Sequence, residues 1–222
     1  MKLAIVLLLF LASGLSLVAQ TLTDPQLAPG SQPLVNRRVL GIFPNTILVE
    51  NSGTPVAALS TRQKFQLFTD ETFVPGFVIL SAATAGMAQA FDFTPRYGHG
   101  GAAYAKRFGA VSANIASNSL FTNAVFPSMI HQDPRYFRKG TGTKKARLWY
   151  AISRVAITRQ DSGRAAFNIS QLGGTAASIA LGNLYYPSID RNAATQGSRF
   201  GYAIGIQALF NVIREFGPAG HQ

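Results

Sequence analysis

The chain has 222 residues, 47% hydrophobic and 13% charged, with 20 Lys and Arg against 9 Asp and Glu for a formal net charge of +11. Such a composition excludes a wholly disordered chain, and the basic excess points to acidic partners. Cysteine is absent, so neither disulfides nor a lipid anchor on cysteine is expected, and stability has to come from packing.

The first residues read as a secretory signal. Lys2 supplies the positive start, Leu3 to Ala12 the apolar stretch, Ser13-Gly14 the break, and Ala19 a cleavage point before Gln20. The apolar stretch is short for a membrane span and lacks a basic stop after it. Residues 1–19 are therefore expected to be a signal peptide. The mature chain is expected in the periplasm or cell envelope, peripheral rather than integral to a membrane. Export argues against nucleic acid and leaves anionic lipid or an acidic envelope polymer as partner.

Residues 20–59 read as an extended arm. Pro25, Pro29, Pro33, Pro44 and Pro55 recur through it, with Gly30, Gly41 and Gly53 between them, and that density of breakers forbids a long helix. Thr46 to Val49 is a candidate short strand within it.

From residue 60 to 222 the patterning is helical. Ser60 or Thr61 can cap a segment from Arg62 to Phe68, with Phe65 and Phe68 on one face. Four stretches without a charged side chain follow: Thr72 to Phe91, Phe108 to Ile130, Ala165 to Ile189 and Phe200 to Ile213. Between the second and third lies a basic helix, roughly Lys144 to Thr158, with Leu148, Ala151, Ile152 and Val155 on one face. The expected fold is all-α, a bundle of about five or six closely packed Gly/Ala-rich helices with an irregular Pro-rich N-terminal arm.

Small residues recur every fourth position in the charge-free stretches. Gly101, Ala105, Gly109, Ala113 and Ser117 form one such row; Ser170, Gly174, Ser178 and Gly182 form another. Ala82, Gly86 and Ala90 form a third, and Gly197, Gly201 and Gly205 a fourth. Positions four apart lie nearly above one another on a helix, so each row predicts a groove into which a neighbouring backbone can come close. Chance spacing in a Gly/Ala-rich chain is the competing explanation. Ala176 to Leu181 does not alternate as a barrel strand would. Phe73 to Phe91 is long and apolar enough to be a candidate span, whereas Asn114, Asn118, Asn123, Asn168, Gln171 and Asn183 make the next two stretches costly in hydrocarbon. An integral bundle, serving as a pore or transport accessory, and a homo-oligomer stay open as alternatives.

The densest motif is His131-Gln132-Asp133-Pro134-Arg135-Tyr136-Phe137-Arg138-Lys139-Gly140. Pro134 biases Asp133 away from helix, so the preceding helix should stop there. Asp161-Ser162-Gly163 reads as a turn launching the next helix. Together these turns can bring His131, Asp133, Arg135, Arg138, Arg154, Asp161, Arg164 and Asn168 to one end of the bundle. They form a candidate polar network, either a folding lock or a ligand site. From Arg135 to Arg164 there are nine basic residues and one acidic residue, with Trp149 and Tyr150 interleaved. Lys139, Lys144, Lys145, Arg147 and Trp149 are the candidate contacts to an anionic surface.

The order DPRYFRKGTG, then YAISRVAITRQDSGRAAFNIS, then GNLYYPSIDR, preceded by YGHGGAAYAKRFGA, resembles a family of exported bacterial envelope proteins with no established activity. The resemblance runs from about Arg38 to Phe216. Relatives tend to read Tyr-Gly-Gln-Gly where this chain has His99, and to end in Glu-Phe-Trp-Pro where it has Gly217. Membership implies export and carries no mechanism.

Catalytic patterns are missing. There is no G-x-S-x-G elbow, and Gly140-Thr141-Gly142-Thr143-Lys144 lacks the spacing of a phosphate loop. Three histidines without ligand spacing assign no metal, and no cofactor motif is present. The expected function is a non-catalytic structural module, or one associating with membrane or envelope polymer. His131 with Asp133, or Ser162 beside Asp161, keeps an enzyme as the remaining alternative.

Overall fold

Ser60 begins the first helix by a capping box: its side chain accepts the Gln63 amide at 3.3 Å while Gln63 Oε1 accepts the Ser60 amide at 2.9 Å. The computed structural model describes residues 38–39, 43–44, 47–50, 56–93 and 95–217, all within one compact unit, Leu34–Gln222. The expected signal peptide and most of the expected arm lie outside the described residues. Three short strands lie among the arm's described residues. β1 (Arg38–Val39) pairs antiparallel with β2 (Phe43–Pro44), and β3 (Leu48–Val49) falls within the strand expected at residues 46–49.

The chain is mostly helical, as its patterning predicts. Among the described residues six helices have ten residues or more: α1 (Thr61–Thr72), α2 (Pro75–Ala90), α3 (Gly101–Ser119), α5 (Lys144–Ser153), α6 (Ile169–Gly182) and α7 (Ala193–Phe216). α3 continues through a π-helical segment, Leu120–Val125, into the single turn α4 (Phe126–Met129). Pro127 explains the irregularity: it has no N–H and its ring crowds the carbonyl four residues back. The Phe126 amide reaches back five residues to the Phe121 carbonyl, the wide turn of a π segment. Thr143, Asn168 and Asn192 cap α5, α6 and α7 with their side chains.

Two expectations for α5 and α6 are corrected. The basic helix ends at Ser153 instead of Thr158, and α6 starts at Ile169 instead of Ala165, because the residues between form strands. β4 (Gln132–Asp133), β6 (Ile157–Gln160) and β7 (Ala165–Phe167) make an antiparallel sheet in the order β4-β6-β7. The Asp161-Ser162-Gly163 turn closes the β6–β7 hairpin, with Gly163 at φ +84° where a side chain would strain the backbone. β5 (Tyr136–Phe137) runs parallel to β3, so Leu48 lies beside Tyr136.

The core is unusual in what it buries. Ile47, Leu59, Leu67, Tyr136 and Ala151 form the apolar cluster where the arm meets α1, β5 and α5. Most other buried positions are polar or small: Lys64, Arg107, Ser117, Gln171, Thr175, Ser178, Asn211 and Glu215 are all inside, with Ala85, Ala103, Ala110 and Ala124. Large apolar side chains such as Val78, Ile79, Met87, Phe91 and Leu209 are exposed. On α1 Lys64, Leu67 and Thr72 are buried, and Phe65 is exposed. Of the expected face, Ala151 on α5 and Val155 just beyond it are buried; Leu148 and Ile152 are exposed.

Close helix approach is real at one glycine. A Cβ on Gly174 would lie 2.9 Å from the Phe121 carbonyl carbon and 3.0 Å from the Thr122 amide nitrogen, so α6 and the π segment touch backbone to backbone there. At Gly86, Gly101, Gly109, Gly197, Gly201 and Gly205 a Cβ would meet nothing within 4 Å. These glycines do not admit a neighbouring backbone within the fold, which corrects the expected groove packing at these positions, whereas Ser117 and Ser178 of two rows meet Oγ to Oγ at 2.8 Å.

Candidate functional site

The β4–β6 ladder sets Gln132 opposite Gln160 and Asp133 opposite Arg159. One register further, the Asp161 amide donates to the His131 carbonyl at 2.8 Å. Asp161 accepts Lys64 Nζ at 2.6 Å, and His131 Nδ1 lies 3.9 Å from the same carboxylate oxygen. Lys64 is 2% exposed and spends a second N–H on the Pro127 carbonyl at 3.1 Å, so the pair pins α1 to the loop after β6. Asp133 accepts Arg135 Nε at 2.9 Å and Nη2 at 2.6 Å, a bidentate pair. Asn168 caps α6 through the Gln171 amide and donates its own amide to the Arg154 carbonyl at 3.1 Å.

Of the eight residues expected at one end of the bundle, His131, Asp133, Arg135 and Asp161 meet around this sheet, and Arg154 and Asn168 join through a backbone oxygen. Arg164 closes the hairpin with its carbonyl, 2.8 Å from the Gln160 amide, and its side chain faces solvent. Arg138 belongs elsewhere. It pairs with Glu50 at 3.1 Å and donates Nε to the Glu215 carbonyl at 3.0 Å. Ser162, exposed, contacts Gln160 Oε1 at 3.4 Å.

Sequence reasoning missed Glu215. Its carboxylate is fully buried and accepts the Tyr136 hydroxyl and the Lys139 amide at 2.9 Å, the Gly140 amide at 3.0 Å and Arg147 Nε at 2.8 Å. Arg147 also donates to the Glu215 carbonyl. Burial pushes the Glu215 carboxyl up, but the bonds from Arg147, the two amides and Tyr136 outweigh it and hold the group below the usual carboxylate range. For Tyr136, burial and the Glu215 hydrogen bond both push the phenol up. A signal was available: a glutamate in the last turn of a helix opposes the macrodipole and calls for compensating donors.

The surface candidates divide in the same way. Arg147 is committed to Glu215 and lies over the Phe216 ring at 4.6 Å. Lys139 Nζ sits 5.9 Å from the Tyr150 ring centre. Lys144 and Lys145 are exposed, and Trp149 is 63% exposed.

A cavity of about 810 Å³, partly open to solvent, lies among the helices. α3 lines it with Arg107, Val111, Asn114 and Asn118, the π segment with Asn123, and α7 with Arg199, Tyr202, Ile206, Phe210 and Arg214. Arg135, Arg154 and Arg159 line it from the sheet side. Glu71 is the carboxylate in its wall. It accepts Asn123 Nδ2 at 2.8 Å. Burial raises Glu71 to about 7, with Arg214 and the Asn123 bond opposing that rise and Asp70 adding to it. Near Arg107 the wall is aromatic: Tyr97 stacks on Tyr186 with ring centres 6.5 Å apart, and Arg199 lies 3.7 Å over the Tyr186 ring. Tyr186 Oη lies 2.6 Å from Asn114 Nδ2, which donates to it, and Tyr185 donates its hydroxyl to Asn114 Oδ1. No three histidine or carboxylate side chains among the described residues converge to hold a metal ion.

Compared with known proteins, the chain matches no family model, no curated protein and no solved structure.

Proposed function

We propose that the chain is an exported envelope protein that associates with anionic lipid through its outer surface, as the basic composition and the likeness to exported envelope proteins first suggest. The observation that carries this reading is the outer face of α5. Lys145, Leu148, Trp149 and Ile152 follow one another at helical spacing and are all exposed, with Lys144 at the same end. An apolar stripe with an interfacial tryptophan and lysines beside it suits the boundary between water and acidic head groups. Each lysine near such a surface contributes about 1 kcal/mol.

The test is flotation with vesicles. Binding to phosphatidylglycerol vesicles and not to phosphatidylcholine vesicles at moderate salt is expected, and Lys144→Gln with Lys145→Gln should weaken it roughly 30-fold. Equal binding to both vesicle types would refute the proposal.

A second reading, an integral bundle, is favoured by one specific observation. No single helix among the described residues is long and apolar enough to cross a membrane, but α1 and α2, bent by 56°, meet that test together. α2 also exposes Val78, Ile79 and Met87. Washing the native envelope separates the two: release by salt supports surface attachment, and retention until detergent supports insertion.

A further inference from the structure

α7 packs on α5 and α6, and α3 packs on α2 and α6; the cavity lies between α3 and α7 and follows both lengthwise. Its lining on α7 runs from Arg199 to Arg214 at spacings of three and four, which at about 1.5 Å per residue is roughly 22 Å. One leaflet of a bilayer's hydrocarbon core is about 15 Å deep, so an extended acyl chain fits along this length. The volume of about 810 Å³ lies in the range of small-molecule sites, roughly 300–1,000 Å³. Between the ends Val111, Ile115, Ile179, Ile206 and Phe210 give the wall its apolar part, with Asn118, Gln207 and Asn211 among them.

The charge in that wall is one-sided. Arg107 and Arg135 have carboxylate partners in Asp92 and Asp133, and Arg214 faces Glu71. Arg154, Arg159 and Arg199 form no ion pair among the described residues. Nε of Arg154 and Nη1 of Arg199 are buried nitrogens for which the protein supplies no acceptor. A buried nitrogen without an acceptor is costly, and an oxyanion supplies an acceptor together with a counter-charge. At the Arg199 end Tyr185, Tyr186 and Asn114 add a hydroxyl and amide cluster.

We propose that the cavity between α3 and α7 binds a single-chain anionic amphiphile, its carboxylate or phosphate head at Arg199 and its hydrocarbon chain along α3 and α7. This site is distinct from the α5 surface and does not depend on vesicle binding. Neutral lipid would leave Arg199 uncompensated, and a hydrophilic anion would leave the apolar wall unfilled.

The test is calorimetry on the full chain after passage over a lipid-removing resin, with decanoate, decyl phosphate, decanol and inorganic phosphate as titrants. One site per chain is expected for decanoate or decyl phosphate, with decanol and inorganic phosphate at least tenfold weaker. The tighter of the two anions tells whether the head is a carboxylate or a phosphate. Arg199→Gln should weaken binding at least tenfold and Arg154→Gln less than threefold, with vesicle flotation unchanged in both. Decanol binding as tightly as decanoate, or undiminished binding in a folded Arg199→Gln chain, would overturn the proposal. Should that variant not fold, the comparison of decanol with the two anions on the unaltered chain decides alone.

Discussion

The Tyr136 hydroxyl donates to the Glu215 carboxylate at 2.9 Å, joining the strand after Pro134 to the last turn of α7 across 79 positions. Around that bond Lys139, Gly140 and Arg147 complete a shell that leaves Glu215 no contact with water. Breaking a buried charge pair by removing one partner costs about 3–5 kcal/mol. Glu215→Gln is therefore expected to lose about 3 kcal/mol or more at pH 7 by urea unfolding. Because the folded-state carboxyl is held below its ordinary value, its contribution is present above about pH 4.5 and disappears as pH falls through the folded value. The variant's stability should thus fall less steeply with acid than the parent's. An equal acid slope in both would show that Glu215 is not the group responsible.

Glu71 predicts the opposite sign. Its carboxyl is raised to about 7 from 4.5, so the folded chain holds a proton that the unfolded chain has released between those values. Stability should decline as pH rises from about 4.5 to 7, by at most about 3 kcal/mol, given roughly 1.4 kcal/mol for each tenfold difference in proton affinity between the folded and unfolded chains. Glu71→Gln should remove that decline and be more stable than the parent at pH 8. Chemical denaturation at pH 5, 6, 7 and 8 measures it directly, and parallel curves for the two chains would refute it.

Two glycines on neighbouring helices should respond in opposite directions. Gly174→Ala puts a methyl group 2.9 Å from the Phe121 carbonyl carbon, and overpacking of that kind costs about 1–3 kcal/mol. Gly201→Ala meets open space inside α7 and should stabilise by up to about 1 kcal/mol through helix propensity. Urea midpoints of the two variants check the contrast.

Lys64 and Asp161 should behave as a coupled pair. Lys64→Met leaves Asp161 without its ammonium partner, and a loss of about 3–5 kcal/mol is expected. In the double variant with Asp161→Asn the loss should be smaller than the sum of the single losses, with a coupling of roughly 0.5–3 kcal/mol. Simple additivity would mean that the two side chains act independently.

Much of the architecture is legible in the residues. Ser60 and Gln63 mark a helix start, Pro134 forbids helix at Asp133, and Asp161-Ser162-Gly163 announces a turn. The strands flanking that turn are hidden because Ala165-Ala166-Phe167 is too short to show alternation, and Ile157 to Gln160 continues a helical pattern until Asn168 and the hairpin compete for it. The candidate network is half legible. His131, Asp133, Arg135 and Asp161 converge because two turns flank one sheet, whereas Arg138 is drawn away by Glu50 and Glu215. Glu215 itself depends on a contact 79 positions distant, which no local pattern encodes. The glycine rows mislead for a related reason. Spacing places small residues on one face, but whether a neighbour comes to that face is a property of the whole packing.

The π segment at Leu120–Val125 acts as a phase shifter. One residue added to an α-helix rotates everything beyond it by about 100°. Asn123 meets Glu71, and Gly174 fits against Phe121 and Thr122, in the rotated frame that the wide turn creates. Deleting a single residue between 120 and 125 would return the run to ordinary α-helix and swing one end of it round relative to the other. The two ends would then serve different neighbours, so this stretch tolerates changes of side chain far better than changes of length.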